Sequence, residues 1–171
     1  GWSVCIEGEA VVVGSRWEDV NGLNSGSAYV YRLDGNTWEQ EAKLEASDGE
    51  ISDQFGWSVS IDQDTILIGS RYDDDNGSAS GSAYMYYFNG KQWNQYLKLL
   101  PNSGSSSDYF GDTVAISGDM AIVGARGVDD PSNAGTAYVF ITFNDGVTWI
   151  NRYRCIASDA GSNDALGFSV A

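Results

Sequence analysis

The 171-residue sequence contains no histidine. That absence removes His-based triads, His general bases and most zinc or copper sites. Its two cysteines, Cys5 and Cys155, allow at most one disulfide. Basic residues are scarce: 9 Lys and Arg stand against 24 Asp and Glu, a formal net charge of −15. Such a balance repels phosphate backbones and anionic head groups, so no nucleic-acid partner is expected. No apolar run approaches the roughly 18–20 residues that span a bilayer, so no membrane insertion is expected either. The first residues show no charged segment followed by an apolar one, the signature of a signal peptide. What is plentiful is equally informative. Twenty-one glycines against two prolines indicate many tight turns between short strands, and 13% aromatics are too many for a disordered acidic chain.

The chain repeats itself. Gly1-Trp2-Ser3-Val4 returns as Gly56-Trp57-Ser58-Val59, as Gly111-Asp112-Thr113-Val114 and as Gly167-Phe168-Ser169-Val170. Inside each unit follow an apolar run closed by Gly and Arg (Ala10 to Arg16, Thr65 to Arg71, Met120 to Arg126), a Gly-[Ser/Thr]-Ala-Tyr start (at Gly26, Gly81 and Gly135), and a block opened by Trp38, Trp93 or Trp149. Runs of β-branched residues about six long, bounded by turns, read as strands. Two-residue links (Gly8-Glu9, Gln63-Asp64, Gly118-Asp119) and the pairs Asp34-Gly35, Asn89-Gly90 and Asp145-Gly146 supply hairpin turns. In the fourth block strict alternation places Trp93, Gln95, Leu97 and Leu99 on one face and Asn94, Tyr96 and Lys98 on the other.

The fold class is therefore all-β: three four-stranded antiparallel units that read as β-propeller blades. The units are 1–55, 56–110 and 111–166, with 167–171 starting a fourth. In the middle unit the strands are expected over 57–62, 65–71, 81–88 and 92–100, first to fourth outward from the axis, with Ile66, Ile68, Trp93 and Leu99 buried. Apolar strands buried on both faces need neighbours, and a closed ring takes roughly 4–8 blades. The first and third units are therefore expected to lean on other blades, of the same or a neighbouring chain.

The blocks Phe55-Gly56-Trp57-Ser58-Val59, Ile66 to Arg71 and Gly81-Ser82-Ala83-Tyr84 resemble the FG-GAP repeat, the blade unit of integrin-α-type propellers and of many secreted proteins. The resemblance implies an extracellular or cell-surface module and does not by itself name a ligand. Two departures matter. The family's Gly-Ala-Pro is Gly14-Ser15-Arg16, Gly69-Ser70-Arg71 and Gly124-Ala125-Arg126 here. The integrin-type calcium loop between the first two strands is replaced by a short turn such as Asp62-Gln63-Asp64, so that site is not carried over.

Several residues are candidates for binding. The acidic loops after the second strand contain Glu18-Asp19, Asp73-Asp74-Asp75-Asn76-Gly77 and Asp129-Asp130. Asp73, Asp74, Asp75 and Asn76 are the best candidates for Ca²⁺, which takes six to eight oxygens; the alternative is a solvated polar turn whose carboxylates face the neighbouring Arg. No cofactor is required by any motif. Arg16, Arg71 and Arg126 hold one place in all units and are expected to pair with those acidic loops, with an anion-binding row as the alternative. The Trp38, Trp93 and Trp149 series is expected to pack between blades rather than stack on sugars. Cys5 and Cys155 align with small or apolar residues and are expected to be buried free thiols. Asn76-Gly77-Ser78 is a glycosylation sequon, Asn76 being the acceptor.

No unit carries a distinctive acid/base pair, and repetition of the same residues favours structure over one unique active site. The chain is therefore expected not to be an enzyme. An extracellular interaction or adhesion module with a protein or glycan ligand is the leading reading. A structural subunit of a filament or surface coat comes second, and a carbohydrate-active enzyme or lectin third.

Overall fold

The computed structural model describes residues 1–129, 133–143 and 148–171. They form three four-stranded antiparallel sheets. The first contains β1 (Ser3–Glu7), β2 (Ala10–Ser15), β3 (Ser27–Asp34) and β4 (Thr37–Leu44). The second contains β5 (Phe55–Asp62), β6 (Thr65–Ser70), β7 (Ser82–Phe88) and β8 (Trp93–Leu99). The third contains β9 (Phe110–Ser117), β10 (Met120–Ala125), β11 (Thr136–Thr142) and β12 (Trp149–Cys155). Strand order within each sheet follows chain order, and no helix occurs among the described residues. The first strands β1, β5 and β9 pack on one another along the inside of the arc, which makes them the innermost strands. This is the all-β blade architecture expected, as an open arc of three blades. The Asp145-Gly146 turn lies outside the described residues.

The two-residue links between first and second strands close as expected, their first residue at φ 54° (Gly8), 51° (Gln63) and 52° (Gly118). Strict alternation in the fourth strand is not what forms. The register shifts between Met85 and Tyr86, so that Met85 faces Leu97 and Tyr86 faces Gln95, with Tyr96 left over. This β-bulge flips the phase of the strand. Trp93 consequently packs towards the first sheet, whereas Leu97 and Leu99 pack towards the third. The same shift occurs between Val30 and Tyr31 and between Val139 and Phe140, so the outer strand of every blade turns side chains to both of its faces.

Two apolar cores fill the two junctions between sheets. The first joins Val12, Ala28, Val30 and Leu44 to Val59, Ile61, Ile66, Ile68, Tyr84 and Trp93. The second joins Leu67, Met85 and Leu99 to Val114, Ile116, Val123, Tyr138 and Phe140. Ile66 and Ile68 are fully buried, Leu99 is 3% exposed and Trp93 8%, as expected. The equivalents on the outward faces are not covered. Val4 is 69% exposed where Val59 is 9%, and Trp38 is 43% exposed where Trp93 is 8%. The expected burial of Trp38 therefore fails because no sheet lies against its face. For the same reason Cys155, equivalent to Leu44 and Leu99, is exposed rather than buried; Cys5 is half-buried, and both thiols are free.

A backbone lock registers each blade on the next. Gly26, Gly81 and Gly135 form isolated parallel bridges with Phe55, Phe110 and Leu166. The hydroxyls of Ser3, Ser58 and Thr113 donate to the carbonyls of Gly56, Gly111 and Gly167 at 3.0, 2.8 and 2.9 Å. A Cβ placed on Gly14, Gly69 or Gly124 would lie 2.0 Å from those same carbonyl oxygens. Only glycine permits this approach. Gly167-Phe168-Ser169-Val170 docks through the same lock on the third sheet.

Gly69→Ala should destabilise the fold by about 3 kcal/mol or more, since a backbone oxygen must move to admit the methyl group. Gly90→Ala, at φ 85° but with nothing within 4 Å of the added carbon, should cost only about 1 kcal/mol. Leu99→Ala should cost about 2–5 kcal/mol. Urea denaturation of the three variants checks the ranking.

Candidate functional site

The residues that the lock sets in place form a row at one end of the innermost strands. Between β5 and β6 the register skips from Phe55↔Ser70 to Ser58↔Gly69, which bulges Gly56-Trp57 out of the ladder. Gly56 supports this with φ 85°. Trp57 is thereby thrown onto the rim beside Arg71, the residue just after β6. Trp2, Asp112 and Phe168 take the equivalent rim positions.

Aromatic rings and guanidiniums alternate along this rim. The Arg16 guanidinium lies 3.6 Å from the Trp2 ring centroid and 4.2 Å from those of Trp17 and Trp57. Arg71 lies 4.4 Å from Trp57 and from Tyr109. Arg126 lies 5.8 Å from Tyr109 and 5.3 Å from Phe168. Cation–π contacts of this kind stabilise by about 0.5–2 kcal/mol each, more where water is excluded. Among the described residues the expected pairing of Arg16, Arg71 and Arg126 with the acidic loops does not form. Arg71 and Arg126 instead share Asp112, with Nε–Oδ distances of 3.2 and 3.0 Å, and Arg16 donates to the Gln54 side-chain carbonyl at 2.7 Å. The reason is direction: after the second strand the chain turns, sending Arg towards the next blade and the acidic residue two positions later back onto its own sheet. Burial pushes the Asp112 carboxyl up, while Arg71 and Arg126 pull against it.

Lys98, not an arginine, gathers the acidic loop. Its ammonium lies 2.9 Å from Asp73, 2.7 Å from Asp75 and 2.9 Å from Asp48 of the preceding connection. Asp73 is 2% exposed and also accepts from Ser82 and Tyr84. Burial works against the Lys98 ammonium, but Asp75, Asp48 and Asp73 together outweigh it and hold its pKa above the ordinary lysine value. The first blade repeats the arrangement with Lys43, Glu18, Ser27 and Tyr29. In the third, Val128 stands in place of the acid, and Asp130 lies outside the described residues. The calcium candidates are thus split. Asp73 and Asp75 hold Lys98, whereas Asp74 and Asn76 face solvent. Among the described residues no group of three or more His, Cys, Asp and Glu is arranged to hold a metal ion. The exposed Asn76 lies in the loop between β6 and β7.

A third recurring group caps the connections between blades. Asp53, Asp108 and Asp164 accept from the backbone N–H groups of Glu50, Ser105 and Gly161. Burial pushes the Asp53 carboxyl up to about 6, with Asp73 and Asp74 adding repulsion.

The row was half legible in the sequence. The three arginines repeat visibly, but the rim residues that meet them from the first strands sit at the variable position of G-x-[ST]-V, where Trp, Trp, Asp and Phe share no single residue type. The signal available was that three of those four residues are aromatic.

Two outcomes test these networks. Lys98→Met should destabilise by about 3 kcal/mol, because it leaves Asp73 buried without its cation, and adding Asp73→Asn should recover part of the loss. Asp53 binds its proton more tightly when folded, so its contribution to stability is present below about pH 4 and lost as the pH rises through about 6. Asp53→Asn keeps an acceptor for the Glu50 N–H and removes this dependence. Relative to wild type it should gain about 2 kcal/mol between pH 4 and 7 in urea denaturation.

Comparison with known families agrees with the geometry. A family model described as the FG-GAP repeat matches residues 1–31, 38–86 and 93–140. No curated protein sequence matches the chain. The matched stretches begin near the G-x-[ST]-V start of the first blade and at the Trp38 and Trp93 blocks, and they run through the Gly-Arg and Gly-[Ser/Thr]-Ala-Tyr blocks that build the interblade lock. Since they cover well over half of its length, the chain belongs to the FG-GAP repeat family.

Proposed function

We propose that the chain is a non-catalytic extracellular interaction module, of the adhesion type, which presents a ligand-binding rim on propeller blades. The rim of alternating rings and guanidiniums is the observation that carries this reading. The lock glycines, junction cores and Lys98 network recur because blades must pack; the rim recurs in form while its residues vary. The two ends of the row reach solvent, with Trp2 51% exposed, Trp17 62% and Phe168 60%, while Arg71 and Asp112 in its middle are buried. Exposed aromatics beside arginine are the usual composition of a recognition surface. The sequon at the exposed Asn76 fits an extracellular setting. No helix among the described residues is long and apolar enough to cross a membrane.

Calcium, if it binds, competes with Lys98 for Asp73 and Asp75. Calorimetric titration should show weak binding at most, and identical heats from the Asp73→Asn/Asp75→Asn variant would remove this loop. We further propose that the exposed outward faces around Val4 and Trp38, and around Tyr153 and Cys155, meet other blades of the same or a neighbouring chain. A stable monomer in sedimentation with no tendency to associate would count against that.

The main reading is tested by a binding screen of the folded chain against extracellular proteins and glycans. Hits should weaken about tenfold or more on Trp17→Ala or Arg126→Ala, and turnover of a glycan panel without retained binding would reverse the reading.

A further inference from the structure

The rim borders a groove of about 440 Å³ along the inner strands, lined by Trp2, Trp57, Arg71, Asp112, Arg126 and Phe168 together with the lock hydroxyls of Ser3, Ser58 and Thr113. Its chemistry is the reverse of the chain's. In a protein of net charge −15, two guanidiniums, those of Arg71 and Arg126, meet one carboxylate here among the described residues, that of Asp112. Each guanidinium carries five N–H donors. Among the described residues the acceptors paired with Arg71 and Arg126 are the two Asp112 oxygens, so donors are in excess. The Nε groups of Arg16 and Arg71 are buried without a well-aligned hydrogen-bond acceptor. Asp112 itself shows how an anion seats: one carboxylate lies between successive arginines, one oxygen to each.

Resting on the interaction-module reading, we propose that this groove binds an acidic saccharide, a sugar whose ring bears a carboxylate. The carboxylate meets the part-exposed guanidinium of Arg126, with the buried Arg71 adding its charge from behind, and bidentate guanidinium geometry suits it. The ring lies against the aromatic walls of Trp57 and Phe168. Ser58 and Thr113 spend their protons on the carbonyls of Gly111 and Gly167, so the lone pairs of these hydroxyls are left to accept from sugar hydroxyls. A groove of this size takes one or two sugar rings, within the usual range of roughly 300–1,000 Å³ for small-ligand pockets.

The test is calorimetric titration of the folded chain with a uronic-acid disaccharide, its neutral counterpart carrying a hydroxymethyl group in place of the carboxylate, and a short acidic peptide. Binding of the uronate alone is expected, weakened about tenfold to a hundredfold by Arg126→Ala and by Phe168→Ala. Both positions reach solvent, and melting curves confirm that the variants fold. Equal binding of the neutral sugar would overturn the role of the guanidiniums, and unchanged affinity in both variants would overturn the site. Binding of the peptide but not the sugar would overturn the ligand class. These results leave the interaction-module reading standing, because the wider screen decides it independently. If none of the three probes binds, the acidic-saccharide site is overturned.

Discussion

One close approach organises this protein: the backbone of each blade touches the backbone of the next. The glycine that closes every second strand lies under the carbonyl of the glycine that opens the following blade, with no room for a methyl group between them. A hydroxyl from the neighbouring first strand fastens that carbonyl, and a parallel bridge fastens the residue before it. Backbone contacts of this kind fix distance and angle together, so the apolar side chains around them meet in one register. The junction cores follow from that registration, because Val59 and Ile61 reach Val12 and Val30 only when the lock is closed.

The same constraint produces the candidate site. To bring the two glycines together, the starts of β5 and β9 leave the ladder with a positive φ at Gly56 and Gly111, and the residue after the glycine is carried onto the rim. Arginine follows the second-strand glycine at a fixed distance, so it meets that rim residue from the adjoining blade. A packing requirement thereby sets out a row of side chains whose identity packing does not dictate. Asp112 illustrates this freedom: it stands where two other blades place tryptophan, and it turns one step of a cation–π stack into an ion pair. Ligand recognition can change along such a row while the scaffold beneath it stays fixed.

Charge is divided in the same manner. The acidic loops could have left the rim neutral, but Lys98 and Lys43 draw their carboxylates back onto their own sheets. Among the described residues the three arginines remain with one acid, Asp112. A strongly acidic chain thus keeps a cationic stripe, because its acids are held elsewhere by buried hydrogen bonds rather than by the nearest positive charge.

The sequence by itself determined the repeat, the four strands of each unit, their order and the burial of Ile66, Ile68, Trp93 and Leu99. These follow from local propensity, turn residues and spacing, which act within a few residues of the chain. It did not determine which way Arg16, Arg71 and Arg126 point, that Lys98 gathers Asp48, Asp73 and Asp75, or that the fourth strand bulges at Tyr96. Each depends on partners well outside the local stretch of chain, such as Asp48 for Lys98 and Gln54 for Arg16, or on the competition of two blades for one strand. Alternation in the fourth block is correct on either side of Tyr96 and wrong across it, since a strand that must present Trp93 to one blade and Leu99 to the other needs a change of phase. Trp38 and Cys155 make the same point from outside: their residue types are suited to burial, and their exposure was decided by whether a sheet lies against them.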